Sequence, residues 1–314
     1  MGKKVTVFGS FVVDLMGRCP HLPVPGETVK GSVFKMGPGG KGFNQGVAAH
    51  KAGADVTMVT KLGEDAFADV ALSTMKNLGM DTGRIFRTGQ TETGSALIMV
   101  DESTSQNEIV VILGACDTIT DEEVESVSDL LDQSDYLLTQ LETNISSVEK
   151  IIDIAYEKGV KIILNTAPVQ PVSDSILSKV DLITPNEVEA GILTGIPVDG
   201  EESAGRAADF FFEKGVKNVL ITLGGKGVYL ATPEKRGILP AYRVNAVDTT
   251  GAGDAFNGGL VAALAEGKDL WEAAAFANAL AAISVQRIGT TPAMPDREEV
   301  DSFIKAQEKE KEVC

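Results

Sequence analysis

Residues Val247–Gly259 read VDTTGAGDAFNGG and lead straight into the alanine-rich LVAALAEG. Glycine lets a backbone approach a ligand closely, and a helix start presents unpaired N–H groups to negative charge. Gly251, Ala252, Gly253 and Asp254 therefore read in two ways. They form a capped helix start in which Asp254 suits the helix dipole, or an anion cradle with a base beside it. The stretch alone leaves both open.

Around it, short β-branched runs alternate with helical patterns. KVTVFG and DVTMVTKLG read as strands, the second followed by a helix in DAFADVALSTMKNLG. DYLLTQ, KIILNT and DLITPN read as buried strands, and SSVEKIIDIAYEKG between them has helical spacing and a terminating glycine. GRAADFFFEKG leads into KNVLITLGG and GVYLAT, and the remainder is helical up to a charged tail, KAQEKEKEVC. This alternation predicts an α/β fold, a mostly parallel sheet flanked by helices, in one domain spanning 1–314. Residues 10–36 and about 90–115 break the pattern and predict a small separate β-sheet, a lid over a pocket.

Composition excludes several classes of function. The 314 residues carry 45 acidic against 28 basic side chains, a formal charge of −17 without a basic run, so neither nucleic acid nor an anionic membrane is an expected partner. Cys19, Cys116 and Cys314 make no disulfide framework and fit a reducing cytoplasm. No apolar window is long enough for a membrane span. With only His21 and His50, a histidine metal site is not expected, and carboxylates become the natural bases.

A second glycine cluster, KMGPGGKGFNQGVAAHKAG, holds a formal G-x-G-x-x-G at Gly37, Gly39 and Gly42. A dinucleotide site is a weak reading, because the motif does not follow the first strand. Nor is it a P-loop, since Gly42 follows Lys41 where a serine or threonine is required. What remains is exposed backbone at Gly39, Gly40 and Gly42, the charge of Lys41 and the amide of Asn44. That set suits a polyol or its phosphate, and a tight strand-to-helix turn accounts for the glycines equally well. Asp14 either faces solvent or binds hydroxyls, because a buried carboxylate without partners is costly. Glu142 ends a buried strand, where ligands of α/β sheets gather. Asn186 and Glu189 share one face of a first helical turn, as a capping pair or as hard ligands for a hydrated Mg2+. Thr222 and Lys226 flank another glycine turn, which a β-hairpin would also explain.

Together GGKGFNQ, PGETV, TPNEVEA and DTTGAGDAFNGG, spread over nearly the whole chain, resemble the ribokinase (PfkB-type) family of carbohydrate kinases. The resemblance implies a ribokinase-like three-layer αβα sandwich with a small β-sheet lid. It also implies transfer of the ATP γ-phosphoryl group to a small sugar. D-ribose, giving ribose 5-phosphate, is the expected acceptor, and fructose or 2-keto-3-deoxygluconate are alternatives. An NAD-dependent dehydrogenase and a non-catalytic sugar-binding protein are more distant readings.

By the same resemblance Asp254 is the general base, with Gly251, Ala252 and Gly253 as the anion hole. Asp14, Gly39, Gly40, Lys41, Asn44 and Glu142 fall on sugar-site positions. Asn186, Thr222, Gly224, Gly227, Gly253 and Asn278 match nucleotide positions, and Asn186 and Glu189 hold Mg2+ through water. Asp248, Thr250, Ser284, Arg287 and Gly289 match the site of an activating K+. Three departures stand out. Val12 replaces a frequent sugar-binding asparagine, Ala293 replaces a serine that completes the K+ site, and GACD at Gly114–Asp117 replaces GAN. A homodimer through the lid sheets is the expected assembly, since exposed sheet edges gain from pairing.

Overall fold

The computed structural model describes residues 3–104 and 106–313, so Cys314 lies outside the described residues. In chain order the strands are β1 (Lys4–Phe8), β2 (Val12–Cys19), β3 (Val33–Gly39), β4 (Asp55–Gly63), β5 (Ile85–Thr88), β6 (Thr93–Asp101) and β7 (Asn107–Gly114). They continue with β8 (Tyr136–Thr139), β9 (Lys161–Leu164), β10 (Leu182–Ile183), β11 (Val219–Thr222), β12 (Val228–Ala231) and β13 (Arg236–Leu239).

The large sheet runs β13-β12-β11-β10-β9-β8-β1-β4-β5, parallel except for β12, which pairs antiparallel with both neighbours. Successive strand side chains point to opposite faces, which sorts the apolar runs into two cores. Leu138 of β8 and Ile163 of β9 pack into one core, and Leu137, Ile162 and Leu164 into the other. Helices Lys41–Lys51, Ala66–Leu78, Ala252–Ala265 and Leu270–Ser284 cover the first face, while Ile145–Glu157 and Glu201–Glu213 cover the second. The result is the expected three-layer αβα sandwich. The charged tail is not a separate segment, because helix Arg297–Val313 runs through it.

Sequence chemistry sets the helix ends that matter. Asp65 accepts a hydrogen bond from Ala68 N at one helix start, and that helix stops at Gly79 in the left-handed region (φ 71°). Gly258 decides the approach of helix Ala252–Ala265 to helix Lys41–Lys51. A Cβ there would lie 2.4 Å from Ala48 Cβ and 2.6 Å from Gln45 O. Only glycine lets the two helices close enough to bring Asn44 and Gln45 to Asp254.

A second sheet, in the order β3-β2-β6-β7, stands apart from the large one. Its strand β3 reaches Gly39, beyond the expected limit at residue 36. Gly37 and Gly39 of the G-x-G-x-x-G run therefore lie in a strand of the small sheet, which removes the phosphate-loop geometry a dinucleotide site needs. Cross-strand register puts Met36 beside Leu15, Leu15 beside Leu97, and Leu97 beside Val110. Phe34, Met36, Leu97, Met99, Val110 and Ile112 consequently share one face, and all are exposed, Phe34 by 69 %. Asp14 lies on the opposite face.

Candidate active site

The parallel strands of the large sheet deliver their carboxyl ends to one rim. Ser10 follows β1, Glu142 lies just beyond β8, Asn165 follows β9, Thr184 to Asn186 follow β10, and Thr222 ends β11. A cavity of about 180 Å³ opens there, bounded by Lys41, Thr184, Asn186, Glu189, Thr222, Gly251, Gly253 and Asp254. A larger, apolar cavity of about 340 Å³ lies among Pro171, Leu177, Ile192 and Phe210. Its charged groups, Asp174 and Lys214, pair with each other at 2.7 Å.

Helix Ala252–Ala265 begins at that cavity. Gly251 is its N-cap in the left-handed region (φ 75°), and no side chain caps it. Ala252 N donates to Thr249 O at 3.2 Å, which closes the turn. Among the described residues, Gly251 N, Gly253 N and Asp254 N have no acceptor. Of the three residues expected to form the anion hole, two thus present free amides, and Asp254 adds a third. A Cβ at Gly253 would meet nothing within 4 Å, so the space beside its N–H is open.

The carboxylate of Asp254 is buried and held at both oxygens. Asn44 Nδ2 donates to Oδ2 and Gln45 Nε2 to Oδ1, each at 3.0 Å. Thr291 Oγ1 donates to Asn44 Oδ1 at 2.7 Å, which turns the Asn44 amide so that its NH₂ faces Asp254. Burial raises the Asp254 pKa above the usual carboxylate range, against the pull of Lys41 and the two amides. Lys41 feels the converse. Burial works against its charge, but Asp254, Glu142 and Glu189 outweigh that and leave its pKa raised. Among the described residues no carboxylate oxygen lies within 4.0 Å of Lys41 Nζ, although the lysine lines the cavity.

The small sheet brings Asp14 close to Glu142 and Asp254. Asp14 Oδ2 accepts a hydrogen bond from Thr290 Oγ1 at 3.4 Å. Burial, with the neighbouring charges of Glu142 and Asp254, pushes its pKa to about 6 despite that bond. A Cβ at Gly39 would fall 2.3 Å from Asp14 Oδ1, and one at Gly40, itself at φ 90°, would fall 2.8 Å from Val12 N. These glycines make room for the carboxylate and the chain behind it. Glu142 Oε2 accepts from Ser10 Oγ at 2.5 Å and from Lys41 N at 2.7 Å, anchoring the helix that carries Lys41, Asn44 and Gln45. Val12 is buried and two residues from Asp14, so both side chains share one face of β2. Cys116 exchanges hydrogen bonds with the backbone of Phe11 and Lys61, which ties the GACD departure to the scaffold behind this site.

On the opposite side, Asn186 caps helix Glu187–Thr194. Its Oδ1 accepts from Val188 N and Glu189 N, and its Nδ2 donates to Glu189 Oε1 at 2.9 Å. Both oxygens of Glu189 are engaged, Oε2 by Asn186 N and Thr166 Oγ1. The capping pair is real, and it lines the cavity as well. Gly227 has a mainly structural reason, because a Cβ there would sit 2.1 Å from Leu239 O at the end of β13. Strands β11 and β12 form the hairpin that the glycine turn allowed. Asn278 donates to Pro240 O at 3.4 Å.

Asp248 accepts from Thr250 N and Gly289 N, each at 2.9 Å. Those bonds overcome burial and lower its pKa, so it is ionised at neutral pH. Arg287 turns its guanidinium to Glu299 at 2.6 Å, and Ser284 Oγ donates to Ala281 O. The side chains of Ser284 and Arg287 are thus committed elsewhere, while Asp248, Thr250 and Gly289 come together. His21 pairs with Glu27 and His50 bonds Leu78 O, both away from the cavity.

Residues 2–297 match the profile described as pfkB family carbohydrate kinase. The chain belongs to that family. It is 44 % identical to the ribokinase of Haemophilus influenzae, with 97 % of this chain and 99 % of that protein covered. It is 36 % identical to the deoxyribokinase of Salmonella typhi, over 97 % of this chain and 99 % of that one. Among solved structures, Arabidopsis thaliana ribokinase complexed with ribose and ATP superposes with a TM-score of 0.89 at 30 % identity, over 97 % of this chain and 99 % of that one. Family membership makes the chain a sugar kinase and sets aside the dehydrogenase and the non-catalytic readings. Gln45, Gln140, Asn165, Thr184 and Asn257, all buried at the site, were not picked out from the sequence. GGKGFNQ contained Gln45, but nothing local says what an internal helix glutamine meets.

Proposed function

We propose that the chain transfers the γ-phosphoryl group of ATP to the primary hydroxyl of D-ribose, giving D-ribose 5-phosphate and ADP. The observation that carries this is the convergence of unpaired Gly251, Gly253 and Asp254 amides, Lys41 and the Asp254 carboxylate on one cavity. The sugar lies against Asp14, Lys41, Asn44 and Glu142, whose carboxylates accept hydrogen bonds from its hydroxyls. Asp254 takes the proton of the attacking hydroxyl as its oxygen bonds the γ-phosphorus and the bond to the β-phosphate oxygen breaks. The raised pKa of Asp254 makes it a better proton acceptor than an ordinary carboxylate. The helix-start amides and Lys41 stabilise the charge that develops on the phosphoryl oxygens. Thr222, Gly224, Gly227 and Asn278 frame the nucleotide.

Among the described residues no cluster of three or more His, Cys, Asp or Glu could hold a metal by itself. With Asn186 and Glu189 occupied in capping, the donor set suits a hydrated Mg2+ that arrives on the phosphates, its waters received by these two. When bound, such an ion neutralises phosphate charge. Ionised Asp248 with the Thr250 and Gly289 backbone suits a K+, and Ala293 supplies no hydroxyl to it, so activation by K+ is expected to be modest.

The small sheet serves as the lid, and its apolar face pairs with a second copy of the chain in a homodimer. Light scattering at micromolar concentration tests that pairing, and a monomer overturns it. Among the described residues no helix is long and apolar enough to cross a membrane, and cysteine usage favours the cytoplasm.

A second reading is favoured by Val12. An apolar side chain on the sugar-facing surface of β2 leaves a sugar hydroxyl there without a partner, which suits 2-deoxyribose. ADP release with ribose, 2-deoxyribose, fructose, 2-keto-3-deoxygluconate and adenosine separates these. Faster turnover of fructose than ribose at matched subsaturating concentration sinks the ribose assignment, and a higher kcat/KM for 2-deoxyribose selects the second reading.

A further inference from the structure

Gln45 is fully buried and each of its polar atoms is engaged. Its Oε1 accepts from Gln140 Nε2 at 2.7 Å, and its Nε2 donates to Asp254 Oδ1 and Asn165 Oδ1, both at 3.0 Å. An amide has a donor end and an acceptor end, so the donation from Gln140 dictates which end of Gln45 faces Asp254. The chain continues beyond Asn165. Asn165 Nδ2 donates to Thr184 O, Thr184 Oγ1 to Asn257 Oδ1, and Asn257 Nδ2 to Gly253 O, at 2.8, 2.7 and 2.9 Å. It leaves the carboxylate of Asp254 and returns to the backbone of the preceding residue.

A network that only filled space would have no need of Gln140. That side chain keeps its Oε1 buried and without a partner among the described residues, beside Gly9, where an apolar residue would avoid the desolvation cost.

We propose that Gln45, oriented by Gln140, is a positioning residue that holds the Asp254 carboxylate ionised and aimed, and that the ring through Asn165, Thr184 and Asn257 fixes it relative to the Gly253 amide. This rests on the reading of Asp254 as the base. The other groups facing Asp254 are Lys41 and Asn44 from the same helix as Gln45, Glu142 beyond β8 and Asp14 from β2. A hydrogen bond to a carboxylate favours its charged form, so losing the Gln45 donor raises the pH at which Asp254 ionises.

The test is the pH profile of kcat at saturating ribose and ATP, which reports groups ionising in the ternary complex rather than in the free enzyme. Gln45→Met keeps the volume and removes the donor. Its acid limb should move up by about one pH unit, so that kcat falls by up to about tenfold at pH values on that limb. KM for ATP should stay within about twofold, and kcat should recover above the displaced limb. Gln140→Met leaves Gln45 in place but releases its orientation, and should move the limb the same way by about half a unit. A loss of kcat with the limb unmoved in both variants means a merely structural role and overturns the proposal. If Gln45→Met does not fold, Gln140→Met decides by the same criterion. Asp254→Asn runs alongside. Wild-type turnover in that variant removes the base reading itself, whereas an inactive Asp254→Asn with unmoved limbs removes only the positioning role.

Discussion

The two glycine-rich turns of this chain have similar composition and opposite surroundings. A Cβ at Gly42 would lie 2.6 Å from the backbone of Gly9 and Ser10, and one at Gly40 would meet the backbone of Val12 and Phe11. At Gly253 it would meet nothing within 4 Å, and at Gly251 only Thr290, at 3.3 Å. The first turn is rich in glycine because other protein occupies the space where side chains would go. The second is rich in glycine where space is left for something else, and there the backbone amides go unpaired. A glycine motif is thus a statement about close approach, and the neighbours decide whether the approaching body is the fold or a ligand.

Substitutions in the two turns should separate these reasons. The largest effect is expected at the ligand-facing turn, where Asp254→Asn should lower kcat by about 10²- to 10⁴-fold, the range for a general base. ATP binding measured by calorimetry should be nearly unchanged, and wild-type turnover would exclude the base role. Next comes the packed turn. Gly42→Ala forces a methyl into backbone that cannot yield, at a cost of about 3 kcal/mol, to be read as a lower midpoint in urea. An unchanged midpoint would mean that the turn can open and that the contrast is weaker than the geometry implies.

Gly253→Ala should do the reverse. It occupies a helical position, so stability should hold or rise by roughly 0.5 kcal/mol. Its methyl narrows the approach to the free amides, and kcat/KM for ATP should fall by about tenfold, on the order of one weakened charge-assisted hydrogen bond. Equal activity with equal stability would show that the phosphoryl group approaches elsewhere.

The smallest effect concerns pH and the acceptor side. Asp14 titrates at about 6, so it is a carboxylate above that pH and a carboxylic acid below it. Sugar hydroxyls donate best to the carboxylate. KM for the sugar should therefore rise as pH falls through 6, by up to about tenfold per unit. In Asp14→Asn that dependence should vanish, and a persisting rise would assign it to another group.

Much of this was legible from local pattern. β-branched runs such as KIIL, helix starts such as Asp65, and the helical spacing of IIDIAYEKG each act within a few residues, and the elements formed where expected. Asp254 and its glycines stood out as a helix start, while their reading as base and anion hole came from the resemblance. The extent of β3 was less legible. MGPGG looks like a loop until β2 pairs with it, and pairing is a long-range event. Gln45 was hidden for the same reason, since its partner Asp254 lies 209 positions away. A polar residue inside a helix carries no local sign of the face it meets.

By itself, then, the sequence determined the layered α/β architecture, the position of the glycine-rich helix start and the excess of carboxylates over histidines. These follow from short-range rules of side-chain alternation, glycine conformation and composition. Tertiary structure alone decided which glycine turn is packed and which is open, and which amides pair. It alone orients the Asp254 carboxylate through Gln45 and raises Asp14 to about 6. Those properties depend on burial and on distances between groups far apart in the chain, which no local pattern encodes.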